Sequence, residues 1–350
     1  MDRVTKLVKN GDSAGKYWWD ATSLHQARTA FREELKNAHH NPDACAWKWV
    51  EYFGIANIHG ATRHAAECFP QLMGWRRRGQ PPLIERLSRG ARFSGLTLMG
   101  FRAILALAEF PEVTLDKICE AENFVAQIAR RAAVPERSLA FLRLALGLRT
   151  GRARQHEGDY EVARDFWRNT AYHGAAHLAC EAGRAGILME WLVAMGRQDE
   201  AIRLFNECEQ SEPCIGPCGL APQTTLSLIL APLLECGLTA RAHIALDRLA
   251  LAAPVSRAWL LPAGCRLAAL ADLGLFAKAQ ALYTRALPLA GQADVPAWQR
   301  IYFHRGAARF LRSARGVGLV AIPSPEPHEA ETATILEAFA TRNRQAPQAG

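Results

Sequence analysis

His173, His177 and Cys180 are spaced i, i+4 and i+7, a pattern that sets two imidazoles and a thiol on one face of a helix. Such a donor set suits Zn²⁺, which takes ring nitrogen and thiolate sulfur in tetrahedral geometry. A fourth ligand is missing, because Glu181 projects away from that face. Histidines at solvent-facing or hairpin-junction positions give the same spacing, so the metal and the structural readings both stand. A second group, Cys208, Cys214 and Cys218 in CEQSEPCIGPC, offers thiolates to a metal or a small redox disulfide across a Pro- and Gly-containing loop. Three residues separate its last two cysteines where zinc knuckles have two, and no second pair lies at the required distance. In the third group, His59, His64 and Cys68, only the last two are one turn apart.

Other chemistry finds no foothold. Gly11 to Lys16, GDSAGK, is one residue short of a phosphate-binding loop and precedes no strand pattern. No Gly-x-Ser-x-Gly elbow and no His-Glu-x-x-His helix occurs. No catalytic residue is nominated and no cofactor is expected, although a site assembled from distant residues would leave no linear trace.

The elements that must carry any site are clearest from Gly158 to Leu289. Gly158, Gly196, Gly237 and Gly274 are each followed five residues later by Ala163, Ala201, Ala242 and Ala279. Nine residues after each glycine stands a large side chain, at Trp167, Phe205, Leu246 and Tyr283. The spacings of 38, 41 and 37 residues fall in the range of stacked helical hairpins. In one unit, the helix-period run Ile187, Leu188, Trp191, Leu192, Met195 ends at Gly196, a residue able to close a helix in the left-handed conformation. A second run, Ala201, Leu204, Phe205, Cys208, stops at Pro213. A lone hairpin cannot bury its apolar stripe, so neighbours must stack on it.

This pattern of closing Gly, small Ala, large residue and terminal Pro resembles the tetratricopeptide repeat, as in Gly196, Ala201, Phe205 and Pro213, or Gly237, Ala242, Leu246 and Pro254. The resemblance is clearest over 144–290. The spacing exceeds the family's usual 34 residues. The small residue that precedes the turn survives as Gly151, while Met189, Leu230 and Leu267 take its place later. A degenerate repeat with longer loops, or a related helical array, fits both departures. The resemblance implies an all-α fold, a right-handed α-solenoid of antiparallel hairpins, with an N-terminal helical region. It further implies that the first helix of each hairpin lines a concave groove. Leu148, Arg152, Gln155, Gly186, Glu190, Val193, Ser227, Ala231, Gly264, Ala268 and Asp272 would face that groove. These positions lack the Lys, Asn and Arg set with which family members clamp a peptide carboxylate. A helix or apolar segment of a partner suits such a surface better, unless the chain's own termini fill it.

Three regions are expected: a Trp-rich helical region at 1–80, hairpin repeats at 81–313, and a linker, capping helix and loose tail at 314–350. Five of nine tryptophans, Trp18, Trp19, Trp47, Trp49 and Trp75, precede residue 76, and RRRGQPP from Arg76 to Pro82 reads as a connection. Aromatic crowding of this kind forms either a small helical core or a ligand pocket. Ser324-Pro325 precedes the last helix, through Ile335, Leu336 and Phe339.

The formal charge of +8 arises from 35 arginines and seven lysines interspersed with acids, the only basic run being Arg76-Arg77-Arg78. A basic face is needed for nucleic-acid binding, so nucleic acid is not expected as a partner. Met1 to Asn10 lacks an apolar stretch, and the longest apolar run, Leu226 to Leu234, is broken by Pro232 and too short for a bilayer. A cytoplasmic location without membrane attachment is expected. Cys119, Cys208, Cys236 and Cys265 lie on apolar helix faces, where reduced cysteine packs as a small hydrophobe. The readings left open are a scaffold for a protein or peptide partner, a regulatory module sensing a small molecule through its Trp-rich helices, and an enzyme or metalloprotein built on His173, His177 and Cys180.

Overall fold

The computed structural model describes residues 24–37, 39–40, 100–101, 103–131, 134–169, 181–210, 223–252, 260–292, 295–319 and 322–344, and these contain helices and turns but no strand. His173, His177 and Cys180 lie outside the described residues, as do His59, His64, Cys68, Cys214, Cys218, the five N-terminal tryptophans and the connection at 76–82. The chain divides into two compact units. One comprises Met1–Leu107, Cys119–Glu136 and His173–Leu178, and the other Ala108–Ile118, Arg137–Tyr172 and Ala179–Gly350.

Within the first unit, helix α1 (Leu24–Asn37) buries Phe31. From Cys119 on, helix α2 (Leu115–Arg131) belongs to this unit and buries Ala121, Phe124, Val125 and Ala129, at helical spacing.

Among the described residues the second unit contains five hairpins. They are α3 (Leu139–Arg149) with α4 (Glu157–Asn169), and α5 (Glu181–Ala194) with α6 (Gln198–Gln210). The third pairs α7 (Gln223–Leu228) and α8 (Leu230–Glu235) with α9 (Thr239–Ala252). The last two are α10 (Leu260–Asp272) with α11 (Phe276–Ala290), and α12 (Ala297–Gly316) with α13 (Glu326–Arg344). Pro232 explains why α7 and α8 are separate, since it supplies no amide to bond the carbonyl four residues back and the helix breaks at Ile229.

All five hairpins turn at a glycine with positive φ: Gly151, Gly196, Gly237, Gly274 and Gly318, at 69° to 84°. At each turn the amide after the glycine donates to the carbonyl five residues before it, Arg152 to Gly147, Arg197 to Leu192, Leu238 to Leu233, Leu275 to Leu270 and Leu319 to Ala314. The glycine amide itself donates to the carbonyl three residues before it. This reciprocal pair satisfies carbonyls left over at the helix end, and it needs a left-handed residue. Gly158 differs from the other three expected glycines, because it sits in the first turn of α4 and the bend belongs to Gly151. An extra 3₁₀ turn, Ala153–His156, separates that bend from α4 and shifts the register. Gly196→Ala and Gly237→Ala are each expected to cost about 1 kcal/mol in urea unfolding, the penalty for a Cβ in the left-handed region, with nothing else within 4 Å to collide.

The second helices bury one repeated stripe. Ala201, Leu204, Phe205 on α6, Ala242, Ala245, Leu246, Leu249 on α9, and Ala279, Leu282, Tyr283, Ala286 on α11 are buried at i, i+3, i+4 and i+7. Successive first helices touch: α3 with α5, α5 with α7, α7 with α10, and α10 with α12. Side chains tie neighbouring hairpins as well. Trp191 Nε1 donates to the Ala153 carbonyl at 3.0 Å, and its ring stacks on Tyr160 with centroids 4.4 Å apart. On the second helices, Arg168 meets Glu207 at 2.6 Å and Arg248 meets Glu209 at 2.8 Å. Exposed pairs of this kind contribute about 0–1 kcal/mol each.

The closest crossing is between α10 and α12. A Cβ on Gly264 would stand on the Tyr302 carbonyl and 2.7 Å from the Phe303 nitrogen, and one on Gly306 would stand 2.8 Å from the Gly264 Cα. Backbone therefore lies directly on backbone, which only these two glycines allow.

Candidate functional site

Two largely apolar helices carry oppositely charged residues into the core. In α3, LAFLRLALGLR, Arg149 is buried, and in α5, EAGRAGILMEWLVA, Glu190 is buried to 4% exposure. An isolated buried ion costs several kcal/mol, so each requires a partner. They find each other: Arg149 Nη1 donates to Glu190 Oε2 at 2.8 Å. The other guanidinium arm, Nη2, stands 3.6 Å from Oε1 of Glu109, a third buried charge.

Helix α12 completes the site. Pro296, with φ −58° and ψ 133°, sets the start of that helix. Two residues on, Trp298 Nε1 donates to Glu190 Oε1 at 3.0 Å, and Tyr302, one turn further, adds its hydroxyl to the same oxygen at 3.4 Å. The Trp298 ring lies 5.4 Å from the Arg149 guanidinium, within cation–π range. The backbone amide of Trp298 donates to the Glu109 carbonyl at 3.4 Å. Trp298, Tyr302 and Cys265 are half-buried, whereas the three charges beneath them are buried.

The electrostatics follow from this geometry. Burial pushes the Glu109 carboxyl up to about 7, with Arg149 opposing and Glu190 reinforcing the rise. Burial works against the Arg149 charge, but Glu190 and Glu109 outweigh it and the net shift is upward. Burial and Glu190 drive the Cys265 thiol up to about 12, so it stays protonated and is no nucleophile. The Tyr302 phenol is held well above its ordinary range by burial, Glu190 and Cys265.

A second cationic group sits beside this one. Arg342, near the end of α13, is buried and donates to three carbonyls: Ala108 at 2.9 Å, Phe110 at 3.3 Å and Arg149 at 2.7 Å. Asn343 adds a bond to the Thr150 carbonyl at 2.7 Å. Burial lowers the Arg342 pKa to about 10. A cleft of about 590 Å³ adjoins it, with Glu112, Asp116 and Glu337 in its lining.

Elsewhere in the unit, His304 Nδ1 and His328 Nδ1 are 2.8 Å apart, and His328 Nε2 is 3.0 Å from the Tyr283 hydroxyl. One ring must donate and the other accept, so the two imidazoles share a single bonding proton. His304 Nε2 is buried without a hydrogen-bond partner. Burial, His328 and Arg300 lower the His304 pKa to about 4, and burial lowers that of His328.

The residues expected to face a groove divide by exposure. Leu148, Gly186, Glu190, Ser227 and Gly264 are buried, Val193 and Ala268 are half-buried, and Arg152, Gln155, Ala231 and Asp272 are exposed. Glu190 is engaged by Arg149, Trp298 and Tyr302, Gly264 lies under the backbone of α12, and Asp272 meets Arg309 at 2.7 Å. Among the described residues no group of three or more His, Cys, Asp or Glu is placed to hold a metal ion, and no helix is long and apolar enough to cross a membrane.

The sequence reading placed Glu190 at a functional position but passed over Glu109, Arg149, Trp298, Tyr302 and Arg342. A usable signal was present: opposite charges in largely apolar helices, Arg149 and Glu190, stand 41 residues apart, one hairpin repeat. No family model matches the chain, and no curated protein matches it.

Proposed function

We propose that this chain is an interaction protein whose helical hairpins form a tetratricopeptide-like right-handed α-solenoid that holds a protein or peptide partner. The observation that carries this reading is the recurrence of one turn five times, each closed by the same left-handed glycine and the same reciprocal backbone bonds. Repetition of a unit that packs on its neighbours gives an extended surface, the usual use of such arrays. Contacts at one-repeat separation, Arg149 to Glu190, Trp191 to Ala153 and Arg309 to Asp272, support the side-by-side stacking.

The groove positions left accessible, Arg152, Gln155 and Ala231, would meet a partner's side chains. Glu190 would act as a support instead. The test uses the full chain as bait in its native host, with cross-linking to locate the contact. One protein recovered in stoichiometric amount, cross-linked near Ala231 and lost with Ala231→Arg, is the expected result. Recovery of no partner, or capture unchanged by Ala231→Arg with the fold intact, would overturn the reading.

A further inference from the structure

Glu109, Arg149 and Glu190 place two carboxylates on one guanidinium, all three buried. With both acids ionised the group carries one uncompensated negative charge in a medium that penalises it. We infer that Glu109 is a proton-operated latch: protonated, it lets segment 108–118 close on α3 and α12, and ionised, it loosens that closure.

Glu109 is the carboxylate that must yield. Glu190 takes the shorter contact with Arg149, 2.8 Å against 3.6 Å, and accepts from Trp298 and Tyr302 in addition. The groups facing the latch are Arg149 from α3, Glu190 from α5, the Cys265 thiol from α10, and the Trp298 indole and Tyr302 phenol from α12. Arg305, also on α12, acts on Tyr302. Arg342 of α13 is spent on the Ala108 and Phe110 carbonyls that flank Glu109. Arg149 is the one cation among the described residues within ion-pair distance of Glu109.

The sign is set by the direction of the shift. The carboxyl titrates at about 7 folded against 4.5 ordinarily, so its contribution is complete below about 4.5 and fades as pH rises through 7. His304 and His328, shifted downward, act oppositely and are fully stabilising above 6.5, so the acid limb belongs to them. The latch accounts for the alkaline limb alone.

The experiment is hydrogen exchange on the full chain between about pH 5.5 and 8.5, corrected for intrinsic amide chemistry and followed in 108–118 and 297–303. Between about pH 5.5 and 7 the opening constant of both segments is expected to rise by up to about tenfold per pH unit, the slope for one proton, and to level off above 7. Glu109→Gln, which keeps the neutral shape, should abolish the rise. A flat profile in the natural protein, or the same rise in Glu109→Gln, would overturn the inference. Should Glu109→Gln fail to fold, Glu190→Gln serves: it leaves Arg149 to Glu109 alone, so the rise should end at lower pH and shrink or vanish as the ionised form gains its own cation. An unmoved rise in that variant would overturn the inference as well.

Discussion

Gly264→Ala is expected to destabilise the second unit by about 3 kcal/mol or more, at the upper end of what overpacking costs. In an exposed helix the same change would help by about 1 kcal/mol, because alanine is the better helix former. The collision decides the sign. The added Cβ meets the Tyr302 carbonyl and the Phe303 nitrogen, which are backbone atoms of α12 and cannot rotate away. The two helices must separate, and Trp298 and Tyr302 would then leave Glu190. Gly306→Ala should behave alike, since its Cβ falls on the Gly264 backbone. Gly158→Ala is the control: it is helical, with nothing within 4 Å, and should be neutral or stabilising by up to about 1 kcal/mol. Urea unfolding of the three variants checks this, and a Gly264→Ala protein as stable as its parent would refute the backbone contact.

Arg149→Met should cost about 3–5 kcal/mol, the loss seen when one partner of a buried ion pair is removed. The methionine fills similar volume, so the penalty comes from charge: Glu190 and Glu109 lose their shared cation and must protonate or draw in water. Arg149→Lys should also be costly, because one ammonium cannot reach both carboxylates as the planar fork does. Adding Glu190→Gln to Arg149→Met should recover part of the loss while keeping an acceptor for Trp298 and Tyr302. A double-mutant cycle should then show a coupling of about 1–3 kcal/mol. A coupling near zero would mean that the pair is solvated in solution.

How far the sequence discloses this arrangement depends on the range of each interaction. Gly196, Gly237 and Gly274 were legible because a helix-closing glycine is tied locally to the alanine five residues on, which must be small where two helices meet. Gly158 was misplaced since a glycine does not display its φ. The same offset to Ala163 was kept even though the bend had moved to Gly151, beyond an inserted 3₁₀ turn. All-helical structure was legible for the described residues from apolar spacing alone. Tertiary partners were not. Nothing in the local pattern around Glu190 announces Trp298 and Tyr302, 108 and 112 residues later. His304 and His328, on different helices, look like isolated histidines until α12 and α13 bring them together.

The Arg342 bonds have a kinetic consequence. Their acceptors lie 193 to 234 residues upstream, so the carbonyls of Ala108, Phe110 and Arg149 stay without that donor until Arg342 has been synthesised. Closing so long a loop is slow relative to forming a hairpin. Maturation of the unit thus proceeds from quickly made local pairs to one late, long-range fastening by α13.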